Sequence, residues 1–201
     1  MAAARGSREL DRSTPLPLAC GRASRASPPL TRLNGNEPAV EVLNLLADAE
    51  ACPYGAATHS YGVATWRERP DRCNVIGTLG NHEFDGGVPE LLRLLGGGTA
   101  AAGPFLEKRY RGSRVPYLCA NVRDRRTGRL ILPPYAVVVV AGIPIGVIGA
   151  VLRETPTIAP ARETRNLEFL DEAESLRKTA RGARRTPPCA RAADLFRGRS
   201  A

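Results

Sequence analysis

The stretch GTLGNHEFDGG, residues Gly77 to Gly87, decides how the rest of this sequence is interpreted. A β-branched apolar run leads into it, and the leucine-rich segment VPELLRLLGGG (Val88–Gly98) follows it. The first run predicts a short buried strand, and the second predicts a helix that stops at its glycines. Between them lies His82, with one carboxylate directly after it and another, Asp85, three residues on. Such polar loops, between a strand and a helix, are where α/β folds commonly place their sites.

The loop offers two interpretations of its polar side chains. Asp85 could accept a hydrogen bond from one ring nitrogen of His82 and fix its tautomer, so that the other nitrogen faces a substrate. The amide oxygen of Asn81 is a usable ligand for a hard divalent cation. The structural alternative is a turn in which Asn81 and Asp85 cap the following helix and His82 is simply exposed.

The segments around the loop predict an α/β fold with a mixed sheet. Apolar periodicity predicts one helix at Glu37–Glu50 and a second at Asn166–Lys178. Apolar and β-branched composition predicts a strand at Val115–Val122 and a β-hairpin at Leu130–Leu152. The hairpin segment has no charged residue and is long enough to span a bilayer, but its prolines and glycines argue against a membrane helix. Residues 1–36 and 179–201 lack a core pattern and are predicted to be disordered, and 51–73 has the character of an insertion.

Charge and cysteine content narrow the class of partner. The net charge is +9, nearly all from arginines that are scattered along the chain, and no basic helix face is apparent, so a nucleic-acid partner is not predicted. The five cysteines are widely spaced without a C-x-x-C motif, which argues against a zinc site or a disulfide framework. The first residues contain no apolar run typical of a signal peptide.

Three segments carry a resemblance to a known family: GTLGNHEFDGGVPELLRLL, then VPYLCANV, then ILPPYAVVVVAGIPIGVIGAVLRETPT. In content, order and spacing they resemble the bacterial 5′-nucleotidase family of calcineurin-like metallophosphoesterases. The run Gly21–Asn44 and the later NLEFLDEAESL are also similar to family segments. The resemblance implies that residues 37–178 form a partial metallophosphoesterase domain, an αββα sandwich with a mixed sheet. It also implies a nucleotide or another small phosphoester as substrate, and a protein that is usually periplasmic or secreted.

For the loop itself, the resemblance implies three roles. Asn81 would be a metal ligand, His82 would stabilise the phosphoryl transition state and assist the leaving group, and Asp85 would orient His82. Two divalent ions such as manganese, zinc or magnesium would hold the phosphate and generate the nucleophile.

The family's other metal ligands are not matched in this sequence. No histidine occurs before residue 36, so the Asp-x-His motif is absent, and Arg22 follows Gly21 where the family has a bridging aspartate. The only other histidine, His59, lies in the apparent insertion. One neutral amide, that of Asn81, cannot hold two divalent cations. The sequence therefore predicts an incomplete copy of the domain that binds no metals and is inactive as a phosphohydrolase. The alternative is a non-catalytic remnant or a module that binds phosphate-bearing ligands.

Overall fold

The computed structural model describes residues 18–20, 35–48, 59–60, 75–100, 106–140 and 143–185. The strands in these ranges are β1 (Leu18–Cys20), β2 (His59–Ser60), β3 (Ile76–Thr78), β4 (Tyr117–Leu118), β5 (Val122–Asp124), β6 (Tyr135–Val140), β7 (Ile143–Ile148) and β8 (Leu167–Phe169). The helices are α1 (Glu37–Asp48), α2 (Gly87–Gly96), α3 (Thr155–Ile158), α4 (Ala161–Thr164) and α5 (Glu172–Arg185), and a 3-10 turn (Asn81–Phe84) precedes α2. None of the described helices is long and apolar enough to cross a membrane.

The strand that leads into the loop is the centre of a parallel sheet. β3 pairs with β1 on one side and with β4 on the other, with Ile76 opposite Leu18 and Gly77 opposite Tyr117. Parallel strands end at the same edge of a sheet, and the chain passes from that edge of β3 into the 3-10 turn and then into α2. The predicted strand, loop and helix are therefore all present, and they place the polar loop at the carboxyl edge of the sheet.

The predicted β-hairpin is also present. β6 and β7 pair antiparallel over their whole length, from Tyr135 opposite Ile148 to Val140 opposite Ile143. Residues 141–142, which connect the two strands in sequence, lie outside the described residues. β2 adds to the free side of β6, and β5 pairs with β8 in a separate antiparallel ribbon. The order of elements is α/β as predicted, but each of the three described sheets is either wholly parallel or wholly antiparallel, so the predicted mixed sheet is not found among the described residues. The finer αββα sandwich stays a prediction.

Two predicted elements differ from the structure. The strand predicted at Val115–Val122 is divided into β4 and β5, because the buried Asn121 side chain hydrogen bonds the backbone of Val151 and Leu170 at the break. The segment predicted as one helix over residues 166–178 begins as β8, whose side chains alternate between buried and half-buried. The helix starts only after Asp171, whose carboxylate accepts the backbone N–H of Glu174 as an N-cap.

The predicted domain division stays a prediction, although elements lie across its boundaries. β1 falls within the region 1–36, and α5 continues past residue 178 to Arg185. Of the apparent insertion at 51–73, only β2 is among the described residues.

The main apolar core lies directly beneath the loop. Phe84 from the 3-10 turn packs edge-on against Phe169 of β8, with ring centroids 5.2 Å apart. Leu79, Leu91 of α2 and Tyr117 of β4 are buried in the same cluster. The loop is therefore built on packed apolar side chains, which fix where its polar side chains lie.

Candidate functional site

The 3-10 turn is held from below by two buried side chains. Phe84 anchors it in the core, and Glu83 is only 1% exposed. One carboxylate oxygen of Glu83, Oε2, accepts the backbone N–H of Gly80 at 2.7 Å, which closes the start of the turn. At the other end the backbone N–H of Asp85 donates to the carbonyl of His82 at 3.2 Å. With Phe84 and Glu83 pointing inward, Asn81, His82 and Asp85 occupy the partly exposed positions of the loop.

The structure brings together the histidine and the aspartate singled out by the sequence. His82 Nδ1 lies 3.1 Å from Asp85 Oδ2, and the two side chains are 29% and 36% exposed. An ionised carboxylate can only accept, so Nδ1 carries the proton in this contact and Nε2 is the ring nitrogen left for a ligand. The contact spans only three residues along the chain, so the turn alone is enough to form it. We call this pair the dyad; the catalytic roles of its members stay predictions.

Asn81, the predicted metal ligand, lies at the first position of the same turn and is half-buried. Within the described ranges, no group of three or more His, Cys, Asp or Glu side chains is placed to hold a metal ion. His59 lies on β2, which belongs to the hairpin sheet and not to the sheet of β3. Arg22 lies outside the described residues. An amide beside one imidazole and one carboxylate does not fit a two-metal centre, which needs several anionic and imidazole ligands.

A carboxylate that the sequence did not single out lies at the start of α2. Gly87, two residues after Asp85, has a φ of +79°, which a side chain would disfavour. The carboxylate of Glu163, from α4, contacts the space that a Cβ atom at Gly87 would fill. Glu163 also pairs with Arg162 at 2.8 Å. A negative charge is favourable at a helix N-terminus, so Glu163 complements the dipole of α2 where a bound anion could otherwise do so. In the sequence, only the presence of glycine at position 87 could have indicated that another group approaches the backbone there.

Tyr117 supports the loop from the neighbouring strand. Its ring packs against Gly77, where an added Cβ atom would lie 2.9 Å from three ring atoms. Burial, and then the negative charge of Glu83, raise the pKa of Tyr117, so the phenol remains neutral. The Tyr117 hydroxyl is buried and has no hydrogen-bond partner within the described structure. Sequence alone gave no reason to connect this residue with the loop.

Comparisons with known proteins concern the sequence and the fold of the chain as a whole. No family model matches the chain. It is 40% identical to the endonuclease YhcR of Bacillus subtilis over 105 residues, which are 52% of this chain and 8% of that protein. It is 31% identical to the 5′-nucleotidase of Vibrio cholerae over 100 residues, which are 50% of this chain and 15% of that protein.

Among solved structures, the NAD nucleotidase of Haemophilus influenzae is similar to 86% of this chain with a TM-score of 0.53 and 24% identity, over 26% of its own length. At that identity the likeness concerns the fold alone. The chain thus spans 8% to 15% of the length of the two relatives and about a quarter of the structural neighbour.

Proposed function

Because the chain is a member of the 5′-nucleotidase family over the part that its relatives match, we propose that it is a phosphoester-recognising domain of the 5′-nucleotidase type. Its substrate class would be nucleotides or other small phosphoesters. The observation that carries the proposal is the 3.1 Å contact between His82 Nδ1 and Asp85 Oδ2, in a loop at the carboxyl edge of a parallel sheet. This is the arrangement that presents one imidazole nitrogen to a ligand at a fixed angle.

In this proposal each member of the loop has a distinct task. Asp85 accepts from Nδ1 and keeps the imidazole of His82 in one orientation. The Nε2 atom, when protonated, donates to a phosphoryl oxygen and later to the oxygen of the leaving group, which is general-acid chemistry. Asn81 adds a neutral amide at the same edge of the loop, able to accept or donate a hydrogen bond.

Hydrolysis by the family depends on divalent metals, and here the described residues offer too few ligands. The proposal is therefore in two parts: the dyad recognises phosphate, and hydrolysis requires metal ligands beyond the described residues. The second candidate function, phosphate binding without hydrolysis, is favoured by the lack of any metal-binding group in the described ranges.

Metal analysis and turnover would test both parts. The purified chain is incubated with manganese, its metal content is measured, and phosphate release from AMP is followed. His82→Ala and Asp85→Asn are the test variants, and His59→Ala, at the only other histidine, is the matched control. AMP binding is measured in parallel by calorimetry.

The outcomes separate the candidates. About two metals per chain, with turnover that falls at least 100-fold in His82→Ala and is unchanged in His59→Ala, would establish a hydrolase. AMP binding that His82→Ala weakens about tenfold, without metals or turnover, would establish a binding module. If the folded protein shows no AMP binding and no turnover, the proposal is refuted.

A further inference from the structure

The helix α5 (Glu172–Arg185) presents two different faces. Ser175 is buried and Leu176 is half-buried, so the side that contains them packs against the protein. The positions that remain exposed on the other side follow a helical repeat of three and four residues. Besides Ala173, they are Glu174, Arg177, Lys178, Arg181 and Gly182.

These five residues line a surface groove of about 540 Å³. Gly182 contributes no side chain, and a Cβ atom added there would meet no atom of the described residues within 4 Å. We call this groove and its lining the basic face.

The charge of the basic face is predominantly positive. It carries three cations and one carboxylate, and none of the cations forms a salt bridge with a described carboxylate. Arg177 and Arg181 are one helical turn apart, about 6 Å along the axis. The cations therefore form a row, which suits a chain of phosphates better than one isolated phosphate.

We propose that the basic face binds the phosphate backbone of a nucleic-acid strand. The scattered arginines of the sequence gave no sign of such a surface, because the helix was predicted only to Lys178 and the repeat of Arg177 and Arg181 on one face was not apparent. An anionic membrane is the less suitable partner. A helix that lies on a membrane inserts an apolar side, whereas the less polar side of α5 faces the protein.

This inference does not rest on the proposed function, because α5 and the dyad are separate parts of the fold. The probe is a fluorescently labelled oligothymidylate of about 20 nucleotides, whose anisotropy is measured at salt concentrations from about 50 to 200 mM. The test variant replaces Arg177, Lys178 and Arg181 with glutamine. The matched control replaces the exposed Arg111, Arg126 and Arg129 with glutamine, which removes the same net charge elsewhere on the surface.

The wild type is expected to bind weakly and with strong salt dependence, because no described aromatic side chain lines the groove for base stacking. The test variant should bind at least tenfold more weakly. Loss of three phosphate contacts should also reduce the slope of log K against log salt by about 2, since each contact contributes about 0.7 for single strands. The control should remain within about threefold of the wild type.

Several results would overturn the proposal. One is an equal loss in the test and control variants, because binding would then follow total charge rather than the basic face. Another is the absence of wild-type binding at the lowest salt concentration. A third is that the wild type binds phosphatidylserine vesicles but not the oligonucleotide, and that the test variant loses the vesicle binding. The test variant should leave the His82-dependent binding of AMP unchanged, which separates this test from that of the dyad. If the triple variant unfolds, as judged by circular dichroism, the double variant Arg177→Gln/Arg181→Gln replaces it.

Discussion

A buried ion pair between α1 and α2 gives the sharpest test of how this fold is held together. Glu37 is 0% exposed, and its Oε1 atom accepts from Nη1 of Arg93 at 2.7 Å. Its other oxygen accepts the backbone N–H of Leu106 at 2.7 Å. Hydrogen bonding to Glu90, and then to Glu37, raises the pKa of Arg93 even though burial opposes it, so the guanidinium stays charged. Glu37 thus joins two helices and the segment that follows α2, and we predict that Glu37→Gln destabilises the protein strongly.

The magnitude follows from counting donors and acceptors. Glutamine has one acceptor oxygen, so it cannot accept from both Arg93 and Leu106, and its amide group would face a buried donor. Breaking a buried ion pair by removing one partner costs about 3–5 kcal/mol. Arg93 keeps two hydrogen bonds to Glu90, at 2.7 and 2.9 Å, so its charge remains partly compensated. We therefore expect the lower end of the range, about 3 kcal/mol, or a fall of roughly 6–12 °C in Tm for a chain of this size.

Urea and thermal unfolding of the wild type and two variants would measure this effect. The control is Glu107→Gln, which removes a surface pair: Glu107 lies 3.5 Å from Arg111, and the side chains are 50% and 83% exposed. Such a pair contributes less than about 1 kcal/mol. If Glu37→Gln and Glu107→Gln lower the unfolding free energy by the same amount, the reasoning about the buried pair is refuted.

Three further predictions concern buried groups. Tyr117→Phe should leave the unfolding free energy unchanged or raise it, because it removes a buried hydroxyl that lacks a described partner. The Tyr110 hydroxyl donates to the Glu41 carboxylate at 2.9 Å, so Tyr110→Phe should lower the free energy of urea unfolding by about 1–2 kcal/mol. A larger loss for Tyr117→Phe than for Tyr110→Phe would contradict this. Gly77→Ala should lower the unfolding free energy by about 1–3 kcal/mol, because the added Cβ atom would crowd the Tyr117 ring. The control is Gly146→Ala, where no described atom lies within 4 Å of the added Cβ atom. Equal Tm values for the two variants would show that the ring moves aside freely. Burial raises the pKa of the Cys119 thiol to about 12, so the folded state favours the neutral thiol. This contribution to stability is complete below the thiol pKa of about 8.5 in the unfolded chain and is lost as pH rises towards 12. Between pH 8 and 11 the unfolding free energy should therefore fall less steeply in Cys119→Ala than in the wild type. Parallel curves for the two proteins would contradict this prediction.

Local patterns predicted the elements that carry the loop. The β-branched run before Gly80 forms β3, the leucines after Gly87 form α2, and the paired apolar runs form the hairpin. Each of these signals is contained in one short, continuous stretch of the sequence. The dyad was accessible for the same reason, because its members are three residues apart.

Long-range contacts account for what the sequence did not predict. The segment Leu167–Phe169 is a strand because it pairs with β5, more than 40 positions earlier in the chain, and no local pattern indicates that partner. Which leucines of α2 are buried also depends on packing, because Leu92 is 43% exposed while Leu94 is 1% exposed. The contact of Glu163 with Gly87 likewise joins elements distant in sequence.

The same distinction bears on function. The dyad needs only a correctly folded turn, which Glu83 and Phe84 secure through one hydrogen bond and one aromatic contact. A two-metal centre needs ligands from several segments at once, so its formation depends on much more of a protein than the turn does. Because the turn serves the core as well as the site, its geometry can be kept by packing alone. The His82–Asp85 contact by itself therefore does not establish a catalytic site, and metal binding and turnover are the measurements that bear on activity.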